Sequence, residues 1–314
     1  WEFTMRYRVV LIMAVGLVAL ASVAYGKTYG AWGAPVNAES VAGASSDLNT
    51  PYNDGCPIQS PDGLSLYIAS NRPGGLGGQD IWVAHRDEPG GPYGAPVNLG
   101  APVNSSVDDF CPSPTRGRRL FFVSARAGGC GGPDIYVTRR NLDGEWRAPA
   151  NLGCAINSAA GEASPSLFTD DAGHAVLYFS SARPGGFEPG GTDSDIYFSV
   201  DFGAAQLAPG LNTASEDTRP NVRKDGLEVV FDSTRAGGLG GPDIYTATRS
   251  NDLAAWTTPV NLGAPINTAA SETRASLSWD GLTMVFGSNR PGSEPDPNGG
   301  PTQADVYVTT REAV

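Results

Sequence analysis

Residues 60–83 read SPDGLSLYIASNRPGGLGGQDIWV and contain, in order, a turn, an alternating stretch, a glycine-rich loop and an apolar stretch. The related sequences SARAGGCGGPDIY and STRAGGLGGPDIY begin at Ser124 and Ser233, and looser versions begin at Ser181 and Ser288. Pro-Asp-Gly favours a tight turn, and alternation of polar and apolar residues is typical of a half-buried strand. Five copies of one pattern indicate a repeated structural unit.

A polar linker opens each repeat, with an asparagine five residues before an acidic residue. Successive acids are 55, 53, 55 and 55 residues apart. Each repeat contains four short strand-like stretches, which is typical of one blade of a β-propeller. The predicted fold class is therefore all-β, a five-bladed β-propeller with four antiparallel strands per blade. The linker acids are Asp54, Asp109, Glu162, Asp217 and Glu272, and the linker asparagines are Asn49, Asn104, Asn157, Asn212 and Asn267.

The fourth strand of a repeat carries the pattern aromatic-x-x-Pro-x-Asn, which begins at Tyr93, Trp146 and Trp256. The last repeat ends without this pattern, but WGAPVN begins at Trp32, before the first repeat. We therefore expect the N-terminal segment to supply the outer strand of blade five. Such a closure leaves no open sheet edge in the ring.

The repeat resembles the WD40-like repeat of TolB-type propeller proteins. The resemblance rests on the Ser-Pro-Asp-Gly turn, the Ser-x-Arg element and the Asp-Ile-Tyr element, and all five repeats show it to some degree. Blade two departs from the turn with SPTRG, and blade four departs with VRKDG. The resemblance implies the fold and says little about activity, because such repeats occur in binding proteins and in proteins fused to enzymes.

The net charge of −12 and the isoelectric point near 4.6 argue against nucleic acid or anionic lipid as a partner. Residues 5–24 combine a basic start with an apolar stretch, which predicts a signal peptide, whereas an anchor helix needs about twenty apolar residues. Residues 1–4 are interpreted as a cloning remainder, and residues 27–314 as the propeller. The mature protein is expected in the periplasm or outside the cell, without insertion into a membrane.

The glycine-rich loop predicts an ion pair in every blade, between its arginine and the aspartate that opens the third strand. A phosphate-binding loop would instead require Gly-Lys-Ser/Thr at the start of a helix, and this sequence does not follow the loop. The expected pairs are Arg72–Asp80, Arg126–Asp134, Arg183–Asp195, Arg235–Asp243 and Arg290–Asp305.

The linker acids and asparagines form a candidate site, because they stand where each inner strand begins and a subset of them could face the channel mouth. Carboxylate and amide oxygens are the ligands that Ca²⁺ prefers. The structural alternative is that these side chains cap backbone amides and join neighbouring blades, which fivefold repetition favours. Asn53, Asp108 and Glu216 stand beside the acids and are further candidates for contact with a ligand.

The position two residues after each acid breaks the fivefold symmetry, since it holds Cys56, Cys111, Ser164, Arg219 and Arg274. Two arginines facing small groups predict a polarised pocket for an anionic or carbonyl-bearing ligand. Cysteines in an exported chain are candidates for disulfides. We expect a disulfide between Cys130 and Cys154, and the pairing of Cys56 with Cys111 stays open.

Two classes of function follow from these patterns. The favoured class is a non-catalytic module that binds a small molecule, a glycan or a protein at the acidic face. The alternative is a hydrolase of esters, lactones or phosphotriesters that uses a bound cation, and glycoside hydrolysis by two carboxylates is a third reading. The two histidines, His85 and His174, and the absence of Gly-x-Ser-x-Gly give little support to a Ser-His-Asp triad.

Overall fold

The structure is a computed structural model that describes residues 28–188, 190–295 and 303–314. The predicted cloning remainder (1–4) and signal peptide (5–24) lie outside the described residues. Within them, twenty strands form five antiparallel sheets of four strands, which confirms the predicted five-bladed propeller.

The strands of each blade follow one another in the sheet, and in blades one to four they do so in chain order. Blade one contains β2 (Asp54–Gln59), β3 (Ser65–Ser70), β4 (Asp80–His85) and β5 (Val97–Asn98). Blade two contains β6 (Asp109–Pro114), β7 (Arg119–Ser124), β8 (Asp134–Arg139) and β9 (Ala150–Asn151). Blade three contains β10 (Glu162–Thr169), β11 (Ala175–Ser181), β12 (Asp195–Val200) and β13 (Gln206–Leu207). Blade four contains β14 (Asp217–Val222), β15 (Glu228–Ser233), β16 (Asp243–Thr248) and β17 (Val260–Asn261).

Blade five is assembled from both ends of the described chain. It contains β18 (Glu272–Leu277), β19 (Thr283–Ser288), β20 (Asp305–Thr310) and the N-terminal strand β1 (Val36–Asn37). The register places Val36 opposite Val308 and Asn37 opposite Tyr307. This pairing confirms the expected closure, in which the segment that begins at Trp32 supplies the missing fourth strand.

The apolar core lies between the blades, where the faces of neighbouring sheets meet. Aromatic pairs recur at equivalent positions, with ring centroids 6.1 Å apart for Phe179 and Tyr197 and 6.0 Å apart for Phe286 and Tyr307. Offset aromatic pairs at this separation stabilise a core beyond the area that they bury. These pairs lie within single blades, and the blades pack on one another through clusters such as Phe121 and Val123 of blade two with Leu177 of blade three.

Every inner strand contains a bulge, and this irregularity shapes the channel. The register shifts two residues into each strand, between Gly55 and Ile58 in blade one. The bulged residue has a positive φ, between 47° and 58°, although none of the five is glycine. A bulge redirects side chains, and non-glycine residues in this region carry strain. The five bulged residues are Cys56, Cys111, Ser164, Arg219 and Arg274.

Two disulfides are present in the described residues. Cys130–Cys154 confirms the predicted pair and joins the blade-two loop to the next linker. Cys56–Cys111, which the sequence left open, joins the inner strands of blades one and two, with Cα atoms 4.9 Å apart. Disulfides are typical of proteins from oxidising compartments.

Among the described residues, no helix is long and apolar enough to cross a membrane.

Candidate functional site

The linker acids are buried and matched by arginine. In blade four, Oδ2 of Asp217 accepts hydrogen bonds from the amide and hydroxyl of Thr213 at 2.6 and 2.7 Å, while Oδ1 pairs with Arg235. The Asp217 side chain has no exposed surface. The arginine also donates to Ser233 and to the Leu211 carbonyl, so it ties the linker to the end of strand two.

The same ion pair is found in all five blades, and it corrects the expected pairing. The arginines were predicted to pair with the aspartates that open the third strands. The structure pairs them with the linker acids, as Arg72–Asp54, Arg126–Asp109, Arg183–Glu162, Arg235–Asp217 and Arg290–Glu272.

The third-strand aspartates accept hydrogen bonds from amide groups and do not pair with the loop arginines. Only part of each carboxylate is satisfied in this way, since one oxygen is buried without a partner among the described residues in Asp134, Asp195, Asp243 and Asp305. Asp243 accepts hydrogen bonds from the Leu239 amide at 2.6 Å and from Nδ2 of Asn261 at 2.8 Å. Each of the other four likewise accepts a hydrogen bond from an amide of its own loop, and these are Asp80, Asp134, Asp195 and Asp305.

The linker asparagines join neighbouring blades. Oδ1 of Asn267 accepts a hydrogen bond from the Ile244 amide at 2.8 Å, and its Nδ2 donates to the Ile244 carbonyl at 2.9 Å and to Asn261 at 2.7 Å. The other four clamp one residue of a third strand in the same way, as Asn49 on Val306, Asn104 on Ile81, Asn157 on Ile135 and Asn212 on Ile196.

These contacts decide what the ten linker residues can do. Each acid lies beneath the surface against an arginine, and burial raises the pKa of Asp54 and of Glu162 while the adjacent Arg72 and Arg183 oppose that rise. Among the described residues, no three His, Cys, Asp or Glu side chains are grouped so that they could hold a metal ion. The linker residues therefore join the blades, and the predicted Ca²⁺ ligand set does not converge on the channel mouth.

The bulged residues, by contrast, do meet at the axis. They line a small pocket with a free volume of about 30 Å³. A volume of this size accommodates roughly two water molecules or one small polar group. On one side the pocket is closed by the Cys56–Cys111 disulfide and Ser164, and on the other side stand Arg219 and Arg274. The structure thus brings together the two arginines that the sequence singled out.

One carboxylate faces the two guanidinium groups. Arg219 pairs with Asp232, and the second oxygen of Asp232 accepts a hydrogen bond from the backbone amide of Arg274 at 2.9 Å. The side chain of Arg274 makes no hydrogen bond or ion pair with any described residue, and its Nε is buried without a partner. Burial and the like charge of Arg219 lower the pKa of Arg274 to about 10, against the opposing effect of Asp232. The pocket therefore has an excess positive charge at neutral pH.

Sequence reasoning missed two residues that shape this pocket. Asp232 occupies a strand-two position that holds Ala69 in blade one and Val123 in blade two. An acid at a position that is apolar in other blades could therefore have been recognised in the sequence as a candidate site residue. Gly55 lies under Arg274, and a Cβ at that position would stand 2.5 Å from Nη1 of Arg274. The glycine therefore gives the guanidinium room against the neighbouring blade.

The three further candidates lie on the rim and do not line the pocket. Oδ1 of Asp108 accepts a hydrogen bond from the Gln79 amide at 2.7 Å, which joins the linker to the loop of blade one. The backbone amide of Asn53 donates to Asn71, and Glu216 is exposed.

The fold is similar to several solved propellers at low sequence identity. A thermostable family-43 glycoside hydrolase has 14% identity and a TM-score of 0.55, over 86% of this chain and 92% of that one. An endo-arabinase from Bacteroides thetaiotaomicron has 18% identity and a TM-score of 0.52, over 90% and 98% of the two chains. A TolB from Agrobacterium tumefaciens has 16% identity and a TM-score of 0.47, over 84% and 92%.

No family model matches this chain, and a search of curated proteins found no match. The likeness to solved structures shows the fold alone. Because glycoside hydrolase propellers also match, the resemblance to TolB-type repeats stays a prediction.

Proposed function

We propose that this protein is an exported, non-catalytic binding propeller whose axial pocket holds the oxyanion end of a ligand, a carboxylate foremost. The observation that carries the proposal is the unpaired guanidinium of Arg274 beside Arg219. Arg274 is half-buried and its Nε is shielded from water without a partner, which is costly for a charged group, and a bound anion would compensate for this cost.

The chemistry of the pocket fits a small planar anion. A guanidinium presents several N–H donors in one plane and binds a carboxylate through two parallel hydrogen bonds. The free volume of about 30 Å³ suits such a group better than a whole sugar ring.

Hydrolysis in this pocket is less well supported. Of the thirteen residues that line it, none is Asp, Glu or His. The nearby Asp232 carboxylate is engaged by Arg219 and by the Arg274 amide, so it is not available as a general acid or base. Glycoside hydrolysis by two carboxylates would require both of them at the bound sugar. We therefore expect no turnover of aryl arabinofuranosides or of carboxyl esters.

The test is isothermal titration calorimetry of the mature protein with acetate, succinate, sulfate and phosphate in a chloride buffer. We expect binding of at least one oxyanion, unchanged by EDTA, and a loss of about tenfold or more in affinity for Arg274→Met because a charged hydrogen-bond donor is removed. Arg147→Met is the matched control, since it removes the same charge from an exposed position and should bind like the original protein. Equal affinity in Arg274→Met, or no binding of any oxyanion, would overturn the proposal.

A further inference from the structure

A second positively charged region lies at the other end of the propeller, where the inner strands finish. Four arginines, Arg116, Arg118, Arg119 and Arg140, line a cleft of about 480 Å³ between blades one and two. Tyr67 and Trp146 form its aromatic part. We name this region the arginine cleft. Its single acid is Asp62, whose carboxylate accepts hydrogen bonds from the Ser60 hydroxyl and the Leu64 amide.

The arginine cleft exists because blade two departs from the repeat. At the positions of Arg118 and Arg119, blade one has Leu64 and Ser65, and blade five has Leu282 and Thr283. In blade two, Arg119 lies directly opposite Arg139 on the neighbouring strand. Like charges at directly opposed positions destabilise a sheet. Blade two therefore carries a cost that the other blades avoid.

No acid compensates for this charge in the described structure. None of the four cleft arginines forms an ion pair with a described carboxylate, although the whole chain has a net charge of −12. Arg116, Arg118 and Arg119 are exposed. Arg118 donates a hydrogen bond to the Asn141 carbonyl at 3.2 Å, but a carbonyl does not neutralise its charge, so the exposed guanidinium groups can still meet an anion from solution.

Arg140 supplies a second, independent observation, because its side chain lacks a hydrogen bond that its counterparts in other blades make. Its counterparts Arg86, Arg249 and Arg311 each donate Nε to the carbonyl of a turn glycine, at 2.6, 2.5 and 2.7 Å. In blade two the Nε of Arg140 is buried and has no hydrogen-bond partner. Its guanidinium lies 4.5 Å from the ring centroid of Trp146, inside the cleft.

We propose that the arginine cleft binds an anionic polysaccharide, a chain of sugars that carry carboxylate or sulfate groups. Guanidinium groups bind both of these anions, and the aromatic rings offer apolar surface to a sugar. A cleft of about 480 Å³ between two blades admits a single flexible chain, whereas the flat surface of a membrane or a wide nucleic acid duplex cannot enter it.

The cleft continues beyond blade two, so its ligand is a chain longer than one sugar. The Arg116 guanidinium lies 4.4 Å from the ring centroid of Trp279, a residue of blade five. Trp279 and Arg116 line an adjoining cleft of about 600 Å³. This binding surface is separate from the axial pocket and does not depend on the function proposed for that pocket.

The test is affinity electrophoresis of the full chain in native gels that contain polygalacturonate, dextran sulfate or neutral dextran. The variant Arg118→Asn with Arg119→Ser removes two charges, and asparagine suits position 118 because φ there is 65°. The matched control is Gln206→Glu with Ala255→Glu, which lowers the net charge equally at exposed positions in blades three and four. Melting temperatures of both variants establish that they are folded.

We expect retardation by one of the two anionic polymers and none by dextran, with a dissociation constant that rises about tenfold or more in the arginine variant only. Arg274→Met should be retarded like the original protein, which separates this surface from the axial pocket. The proposal would be overturned if the arginine variant were retarded as strongly as the original protein. It would also be overturned if neither anionic polymer retarded the original protein. Tighter binding to duplex DNA or to phosphatidylglycerol vesicles would also overturn it.

Discussion

Two groups of arginines lie at the same end of the propeller, and their surroundings are opposite. The five arginines of the glycine-rich loops each face a buried linker acid and a backbone carbonyl. The Arg219 side chain pairs with Asp232, which also accepts the backbone amide of Arg274, and the guanidinium of Arg274 has no partner among the described residues. The contact that recurs in every blade holds the ring together, and the feature confined to two blades is available to a ligand.

The largest expected effect comes from breaking one of the recurring ion pairs. Arg235→Ala leaves the fully buried Asp217 without a cation, which should cost about 3–5 kcal/mol of unfolding free energy. Urea unfolding measures this loss. Arg147→Ala removes an exposed arginine and should change stability by less than about 0.5 kcal/mol. A similar effect of both variants would show that the loop arginines do not hold the ring together.

A smaller loss should follow from removal of a linker asparagine. Asn267→Ala leaves the buried amide and carbonyl of Ile244 without their partners, which should cost about 2 kcal/mol. Asn53→Ala is the matched control, because only the backbone amide of Asn53 is engaged, and it should cost less than about 0.5 kcal/mol. If Asn53→Ala proved equally costly in urea unfolding, the distinction between joining residues and rim residues would fail.

Replacement of a third-strand aspartate should have a smaller effect on the free energy of unfolding, and this effect should depend on pH. Burial raises the pKa of Asp305 to about 7, against the opposing hydrogen bond from the Glu294 amide. Since the same carboxyl titrates near pH 4 in an unfolded chain, the folded protein binds more protons between these values. The contribution of Asp305 to stability therefore falls as the pH rises from about 4 to about 7.

Asp305→Asn should remove this dependence. The unfolding free energy of the original protein, relative to that of Asp305→Asn, should be higher at about pH 5 than at about pH 7. Urea unfolding at the two pH values measures the difference. A constant difference would mean that amide donors alone keep this carboxylate in its ordinary pH range.

Much of the fold was predictable because its signals are local and repeated. Turn sequences and alternating stretches recur at a constant spacing, so the number of blades and the closure by the segment at Trp32 followed from the sequence. Spacing could not decide the partner of each arginine. Asp54 and Asp80 both lie opposite Ser70, on the two strands that flank it. Only the three-dimensional contacts show that Arg72 reaches the linker acid.

The axial pocket was predictable in part. The substitution of arginine for small residues at two of five equivalent positions was visible in the sequence. The bulge that directs these positions towards the axis was not, because the residues with positive φ there are cysteine, serine and arginine, without the glycine that usually marks such a conformation. The contact between Arg274 and Gly55 joins blades five and one, which are neighbours in the ring but far apart in sequence, so it left no local signal.

The melting temperature of Arg274→Met, measured beside Arg235→Met in a buffer free of oxyanions, tests the central claim most directly. We predict that Arg274→Met melts at or above the temperature of the original protein, because it removes a half-buried charge whose guanidinium has no partner among the described residues. Arg235→Met should melt well below it. Oxyanion should then raise the melting temperature of the original protein and not that of Arg274→Met. A fall for Arg274→Met as large as that for Arg235→Met would contradict the account, since Arg274 would then hold the ring together like the repeated arginines.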